Sequence, residues 1–242
     1  MGAAKMRTDG SGRALRGSQR HMQACVNGER PAFESRLREA IPALRTALEF
    51  EWFSPLAEDG YKEFRDRGTL AALGLEQLYP KLRAFWPSRG PVWDALGRVS
   101  DKDGRSTALL LEAKSHLREY RSACNATSHD SRDRIAKALD QLGQQLGADD
   151  AWGDASFHEY YQTANRLAFA DFLRKSGADV LLINVCFADD ECWPRAKRAA
   201  LDDWSSFHER LKRDMGLASV GWPAIAKTIV VAPLGGCAGG RV

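Results

Sequence analysis

No stretch of this chain approaches the roughly 18 to 20 consecutive apolar residues needed to cross a bilayer, and the N-terminus lacks an apolar run of signal-peptide length. Both absences predict a chain that does not enter membranes and works in the cytoplasm. Cysteine is scarce and poorly spaced for cross-linking. The five, Cys25, Cys124, Cys186, Cys192 and Cys237, form an odd set without a Cys-x-x-Cys pair, which argues against a disulfide framework or a zinc ribbon and predicts reduced thiols. A basic body is missing as well. Residues 1–30 carry six Lys/Arg against two Asp/Glu, and because the whole chain is +3 the remainder stands near −1. Any phosphate-binding surface must therefore be local. There is no internal repeat.

What is present fits one large domain: 242 residues, 44% of them hydrophobic, supply a substantial core. Residues 1–30, rich in Gly, Ser and Arg without apolar periodicity, read as a disordered leader, and residues 235–242 as a flexible tail. The domain then occupies residues 31–234. Apolar residues at three- and four-residue steps predict helices over 31–53 and 59–78. Residues 81–86 alternate as a short strand would, although so short a run also fits a helix. A strand over 91–99, a turn at Asp101-Lys102-Asp103-Gly104 and a returning strand over 107–116 form a hairpin. Helical patterns follow over 131–146, closed by Gly147, and over 156–175, closed by Gly177. Residues 180–187 are almost continuously apolar, as in a central strand buried on both faces. A helix over 196–215 and a strand over 227–232 complete an α/β pattern with a central sheet flanked by helices.

The hairpin carries the chemistry. Glu112-Ala113-Lys114 is the only Asp/Glu-x-Lys triplet in the sequence, and it ends the apolar run that begins at Thr107. In a strand, Glu112 and Lys114 share one face while Leu111 and Ala113 take the other. Asp94 precedes Glu112 by eighteen positions, and the hairpin lays its two arms about 5 Å apart, so the carboxylates can meet. On the helix over 156–175, Gln162, Arg166, Phe169 and Leu173 fall within a sector of about 60° at 100° per residue, with Asp171 opposite. The packed face therefore brings Gln162 and Arg166 toward the sheet.

This order of a helix, a hairpin bearing Asp and then Glu-x-Lys, a helix and a buried strand resembles the PD-(D/E)XK phosphodiesterase superfamily, over roughly residues 60–232. Trp93 stands where the name-giving pattern has Pro, with Pro91 two positions earlier. The resemblance implies a restriction-endonuclease-like core and a nuclease that acts with Mg²⁺, or Mn²⁺ as a substitute. It implies a nucleic-acid partner, DNA ahead of RNA. Asp94, Glu112 and the Ala113 backbone carbonyl would hold the cation, and Glu63 is the candidate for an additional acid. Lys114 would orient or activate water, and Gln162 and Arg166, with His116 as a further candidate, would contact substrate phosphate. Mg²⁺ prefers oxygen donors and keeps several waters, so this donor set is chemically sufficient. The competing readings are a catalytically silent nucleic-acid-binding or assembly module on the same fold, and an unrelated α/β protein in which Glu112 and Lys114 form a surface ion pair.

Other groupings in the sequence are weaker. Cys186 and Cys192 lack a nearby His pair for a metal, and Cys124 with His129 lacks a third group for nucleophilic catalysis. Asp189-Asp190-Glu191 reads as a solvated loop. Arg118, Arg121, Arg132 and Arg134 are candidates for a local basic surface.

Overall fold

The computed structural model describes residues 8–234. Five strands form one mixed sheet in the spatial order β1 (Glu49–Ser54), β2 (Ala95–Ser100), β3 (Ser106–Lys114), β4 (Val180–Phe187) and β5 (Ala226–Val231). The first three form an antiparallel meander, whereas β3–β4 and β4–β5 pair in parallel. Parallel neighbours need long crossovers. The helices are α1 (Gly17–Asn27), α2 (Arg30–Ala40), α3 (Asp66–Ala72), α4 (Tyr79–Phe85), α5 (His129–Leu146), α6 (Ala151–Asp154), α7 (Tyr161–Lys175) and α8 (Leu201–Asp214). Of these, α5 to α7 carry the chain from β3 to β4, and α8 carries it from β4 to β5.

The alternation of strand side chains builds two cores. On one face Leu109, Leu111 and Ala113 of β3 join Leu181, Ile183 and Val185 of β4 and the apolar residues of α1 and α2. On the other, Ala108, Leu110, Val180, Leu182 and Cys186 pack with α5, α7 and α8. Glu112 and Lys114 have the parity of Leu110 and so face α7. Gly97 is required in β2 by close approach, because a Cβ there would sit 2.9 Å from the Glu51 carbonyl oxygen and 3.0 Å from the Trp52 ring. Helix α5 starts at Ser128, whose hydroxyl accepts from the Ser131 N–H, and stops at Gly147 with φ +67°. The described residues contain no helix long and apolar enough to cross a membrane.

Several sequence expectations need correction. The expected disordered leader over residues 1–30 is, from residue 8 onward, ordered: α1 lies there with Met22, Cys25 and Val26 fully buried against the sheet. Met22, Cys25 and Val26 stand at helical spacing, but one turn of apolar residues after a Gly-, Ser- and Arg-rich stretch is too short to hold a helix alone, so tertiary packing makes it. The helix expected over 31–53 ends at Ala40, and 49–54 is instead strand β1, with Phe50, Trp52 and Ser54 inward. Only Asp66–Ala72 of the stretch 59–78 is α-helix, followed by a single 3₁₀ turn at Glu76–Leu78. Residues 81–86 fall mostly in helix α4. The helix expected from 156 begins at Tyr161, after a π-type turn Ala155–Glu159, and Asp171, placed on its outer side, is also buried, paired with Arg174 and Lys175. Helix α8 starts at Leu201 rather than 196. The strand over 180–187 stands as read. Cys25, Cys124 and Cys186 are free, but Cys192 is disulfide-bonded, contrary to five reduced thiols: an odd count still leaves room for one bridge. The tail over 235–242 lies outside the described residues.

Candidate active site

β2 and β3 pair with Ala95 opposite Leu111, which sets Asp94, just before β2, opposite Glu112. The Asp94 N–H donates to the Leu111 carbonyl at 3.1 Å, and the Ala113 N–H donates to Asp94 Oδ2 at 2.7 Å. Asp94 is thus clipped to the strand that carries the triplet. A strand residue presents its N–H and C=O to the same neighbour, so the Ala113 carbonyl looks toward the Asp94 side as well.

Glu112 is the hub. Its Oε1 accepts from Lys114 Nζ and its Oε2 from Arg166 Nε, with Glu112, Lys114 and Arg166 only 3%, 6% and 6% exposed. At such burial an unpaired charge would be prohibitive, so each member depends on the others. Burial opposes ionisation of Glu112, but the Arg166 and Lys114 cations outweigh it and hold the carboxyl below its usual range. Gln162 Oε1 accepts from Lys114 Nζ at 3.0 Å. Arg166 also donates to the Val92 carbonyl at 3.0 Å, Asn165 Oδ1 at 3.1 Å and the Gln162 carbonyl at 3.3 Å. This guanidinium ties α7 to β3 and to the segment before β2.

The neighbouring acids behave in the opposite way. Burial, then the Glu112 and Glu63 carboxylates, push Asp94 well above the usual carboxylate range. Burial and the nearby Glu112 charge likewise raise Glu63, whose Oε1 accepts from Gln19 Nε2 of α1 at 2.8 Å. The three acids therefore share one electrostatic neighbourhood, with Lys114 and Arg166 committed to Glu112. They do not close into a tight trio, since among the described residues the group of three His, Cys, Asp or Glu whose ligand atoms lie within 4.8 Å of one another is His21, Asp190 and Cys192.

That other group is a poor metal centre, because the disulfide at Cys192 removes its thiolate. What remains is a fully buried contact, His21 Nε2 to Asp190 Oδ1 at 2.8 Å, which fastens α1 to the segment after β4. It corrects the expectation of a solvated loop at Asp189-Asp190-Glu191, which holds for the exposed Asp189 and Glu191 but not for Asp190.

Of the residues expected at the site, Asp94, Glu112, Lys114, Gln162 and Arg166 come together, and Glu63 joins them electrostatically. Arg166 does not stand at the rim with donors free for phosphate; it is buried and paired, because a carboxylate at that depth needs a second cation. His116 falls past the end of β3, so strand alternation does not carry it onto the triplet's face; its Nε2 lies 3.4 Å from Glu119 and its ring packs edge-on against Trp193. Cys124 is buried while the His129 side chain is 89% exposed and paired with Asp133, which separates that couple. The Arg set does not form one basic surface: Arg121 pairs with Glu159, Arg132 lies over Phe157 and Arg134 donates to the Arg83 carbonyl. Sequence reasoning missed Gln19 and Asn165. Gln19 gave no signal, being in a stretch read as disordered; Asn165 was findable as the neighbour of Arg166. No family model, curated protein or solved structure matches this chain.

Proposed function

We propose that this protein is a divalent-cation-dependent phosphodiesterase of the PD-(D/E)XK type acting on nucleic acid, DNA ahead of RNA. One observation carries the reading: Asp94 and Glu112 oppose each other across the hairpin, with Lys114 in contact with Glu112 and a further acid, Glu63, close enough to oppose ionisation of Asp94. The donor set fits a hard cation. Asp94 and Glu63 are raised by burial and by other carboxylates more than the nearby cations lower them, a balance that an added cation would reverse, and every donor is oxygen. Asp94, Glu112, the Ala113 carbonyl and, further out, Glu63 would hold Mg²⁺, with Mn²⁺ as a substitute. When bound, such an ion lowers the pKa of a water and offsets charge on the phosphate. Lys114, positioned by Glu112 and Gln162, holds the attacking water or stabilises the developing oxyanion. Arg166 acts through Glu112, keeping it ionised and fixed in orientation.

The test is Lys114→Ala assayed with Mg²⁺ and Mn²⁺ beside calorimetric cation titration. Cleavage should fall by about 10² to 10⁴, the range for losing one positioned proton-transfer or charge-stabilising group, while cation binding persists. Asp94→Ala should lose both. Undiminished cleavage by a folded Lys114→Ala protein removes the lysine from the mechanism.

A second reading has its own support. Both Glu112 oxygens already accept from cationic side chains, an arrangement that would also serve a silent nucleic-acid-binding or assembly module on the same fold. Absence of cation binding to the wild-type protein selects it.

A further inference from the structure

Beside the Glu112–Lys114 centre lies a cleft of about 770 Å³, bounded on one side by the segment 86–92 and on the other by 121–131 and the start of α7. Val92, Gln162 and Arg166 belong to both: the cleft opens where Lys114 meets Gln162 and where Arg166 meets the Val92 carbonyl. Its lining holds three arginines, Arg89, Arg121 and Arg166, and no Asp or Glu. A concave wall that carries cations and no carboxylate of its own favours an anion over a cation.

The three arginines are not equivalent. Arg166 is committed to Glu112, and Arg121 to Glu159 while it stacks over the Tyr160 ring. Arg89 is exposed and makes no ion pair among the described residues. Its position is nonetheless fixed. Asp66 accepts from the Arg89 N–H at 3.0 Å and from the Gly90 N–H at 2.9 Å, and both Asp66 and Arg89 sit at positive φ, +47° and +67°. Left-handed conformations in non-glycine residues are strained and persist only where surroundings enforce them. Here the enforcing contact fixes the backbone of the one uncommitted arginine in the lining of a cleft that adjoins the acids. Gly90 is needed for it, since a Cβ there would lie 2.6 Å from Asp66 Oδ1.

We propose that this cleft receives the single-stranded segment of the substrate next to the scissile phosphate, with Arg89 on a flanking phosphate and Tyr161 as the surface on which a base stacks. The proposal rests on the nucleic-acid reading above and sharpens it to unpaired nucleic acid. The volume suits a small ligand, about one or two nucleotides, and a base reaches the Tyr161 ring only once it is unpaired and splayed out of its stack. A charged groove with an aromatic wall is how single strands are held without reading their sequence.

Fluorescence anisotropy of the wild-type chain in EDTA, with a short labelled oligothymidine, the matching duplex and thymidine monophosphate, tests it. The oligothymidine should bind tighter than both others. Arg89→Ala should weaken it about tenfold, as loss of a charge-assisted hydrogen bond does, and should flatten the slope of log K against log salt by about 0.7. Arg105→Ala, on the exposed β2–β3 turn, should change neither. Tyr161→Ala should weaken binding where Tyr161→Phe does not. Equal affinity for duplex and single strand, monophosphate binding as tight as the oligomer, or an Arg89→Ala effect no larger than that of Arg105→Ala overturns the proposal. If any of these accompanies Mg²⁺-dependent cleavage by the wild type, the cleft assignment falls and the nuclease reading stands. Arg89-dependent binding without cleavage of any nucleic acid supports the cleft and removes turnover.

Discussion

Leu111 and Glu112 are neighbours on β3, equally hidden from water, and face opposite cores. Leu111 meets Ile183 and the apolar residues under α1 and α2; Glu112 meets Lys114 and Arg166 under α7. The first face is held by shape and apolar area, the second by mutual charge compensation that fails as a unit. Apolar burial explains a scaffold without reference to ligand. A buried acid fixed by two cations, with two more acids nearby whose pKa values are raised, is costly to a scaffold and points to chemistry.

The two faces should break differently. Glu112→Ala leaves Lys114 and Arg166 buried without their counter-charge, and chemical denaturation should show a loss of about 3 to 5 kcal/mol. A loss under 1 kcal/mol would mean that water reaches this face freely. Leu111→Ala, on the dry side, should cost about 2 to 4 kcal/mol through lost burial and a residual cavity, while leaving the cation affinity measured by calorimetry unchanged. A large drop in that affinity would show that the faces are coupled.

The smallest effect sharpens the contrast by its sign. Asp94 has a folded-state pKa raised above its unfolded value, so its stabilising contribution is complete below the unfolded pKa and is lost as pH rises toward the folded one. Asp94→Asn should therefore raise Tm at neutral pH in metal-free buffer, with the gain shrinking as pH is lowered through the carboxylate range. Lower stability of the variant at neutral pH would show that the Asp94 carboxylate is not under repulsion.

Much of the site was legible because strand and helix periodicities are local. The parity of Glu112 and Lys114 and the shared face of Gln162 and Arg166 follow from backbone geometry once β3 and α7 exist. The hairpin alone sufficed to oppose Asp94 to Glu112. What failed was the partner of each charge: Arg166 was expected to face phosphate and instead serves Glu112, since the depth of a residue depends on everything packed above it.

The sequence by itself determined the apolar strand of residues 180–187, the hairpin, the α5 stop at Gly147 and the adjacency of one acid pair and one lysine, because each rests on residues near one another in the chain. Only the tertiary structure decided that residues 17–27 are a buried helix, that Gln19 donates to Glu63, that His21 and Asp190 meet in the interior, and that Asp66 pins the Arg89 backbone beside a cleft whose lining holds no Asp or Glu. The three contacts join residues from 23 to 169 positions apart, and a contact closed across that much chain leaves no periodic trace; it is fixed by which surfaces the sheet leaves to be covered.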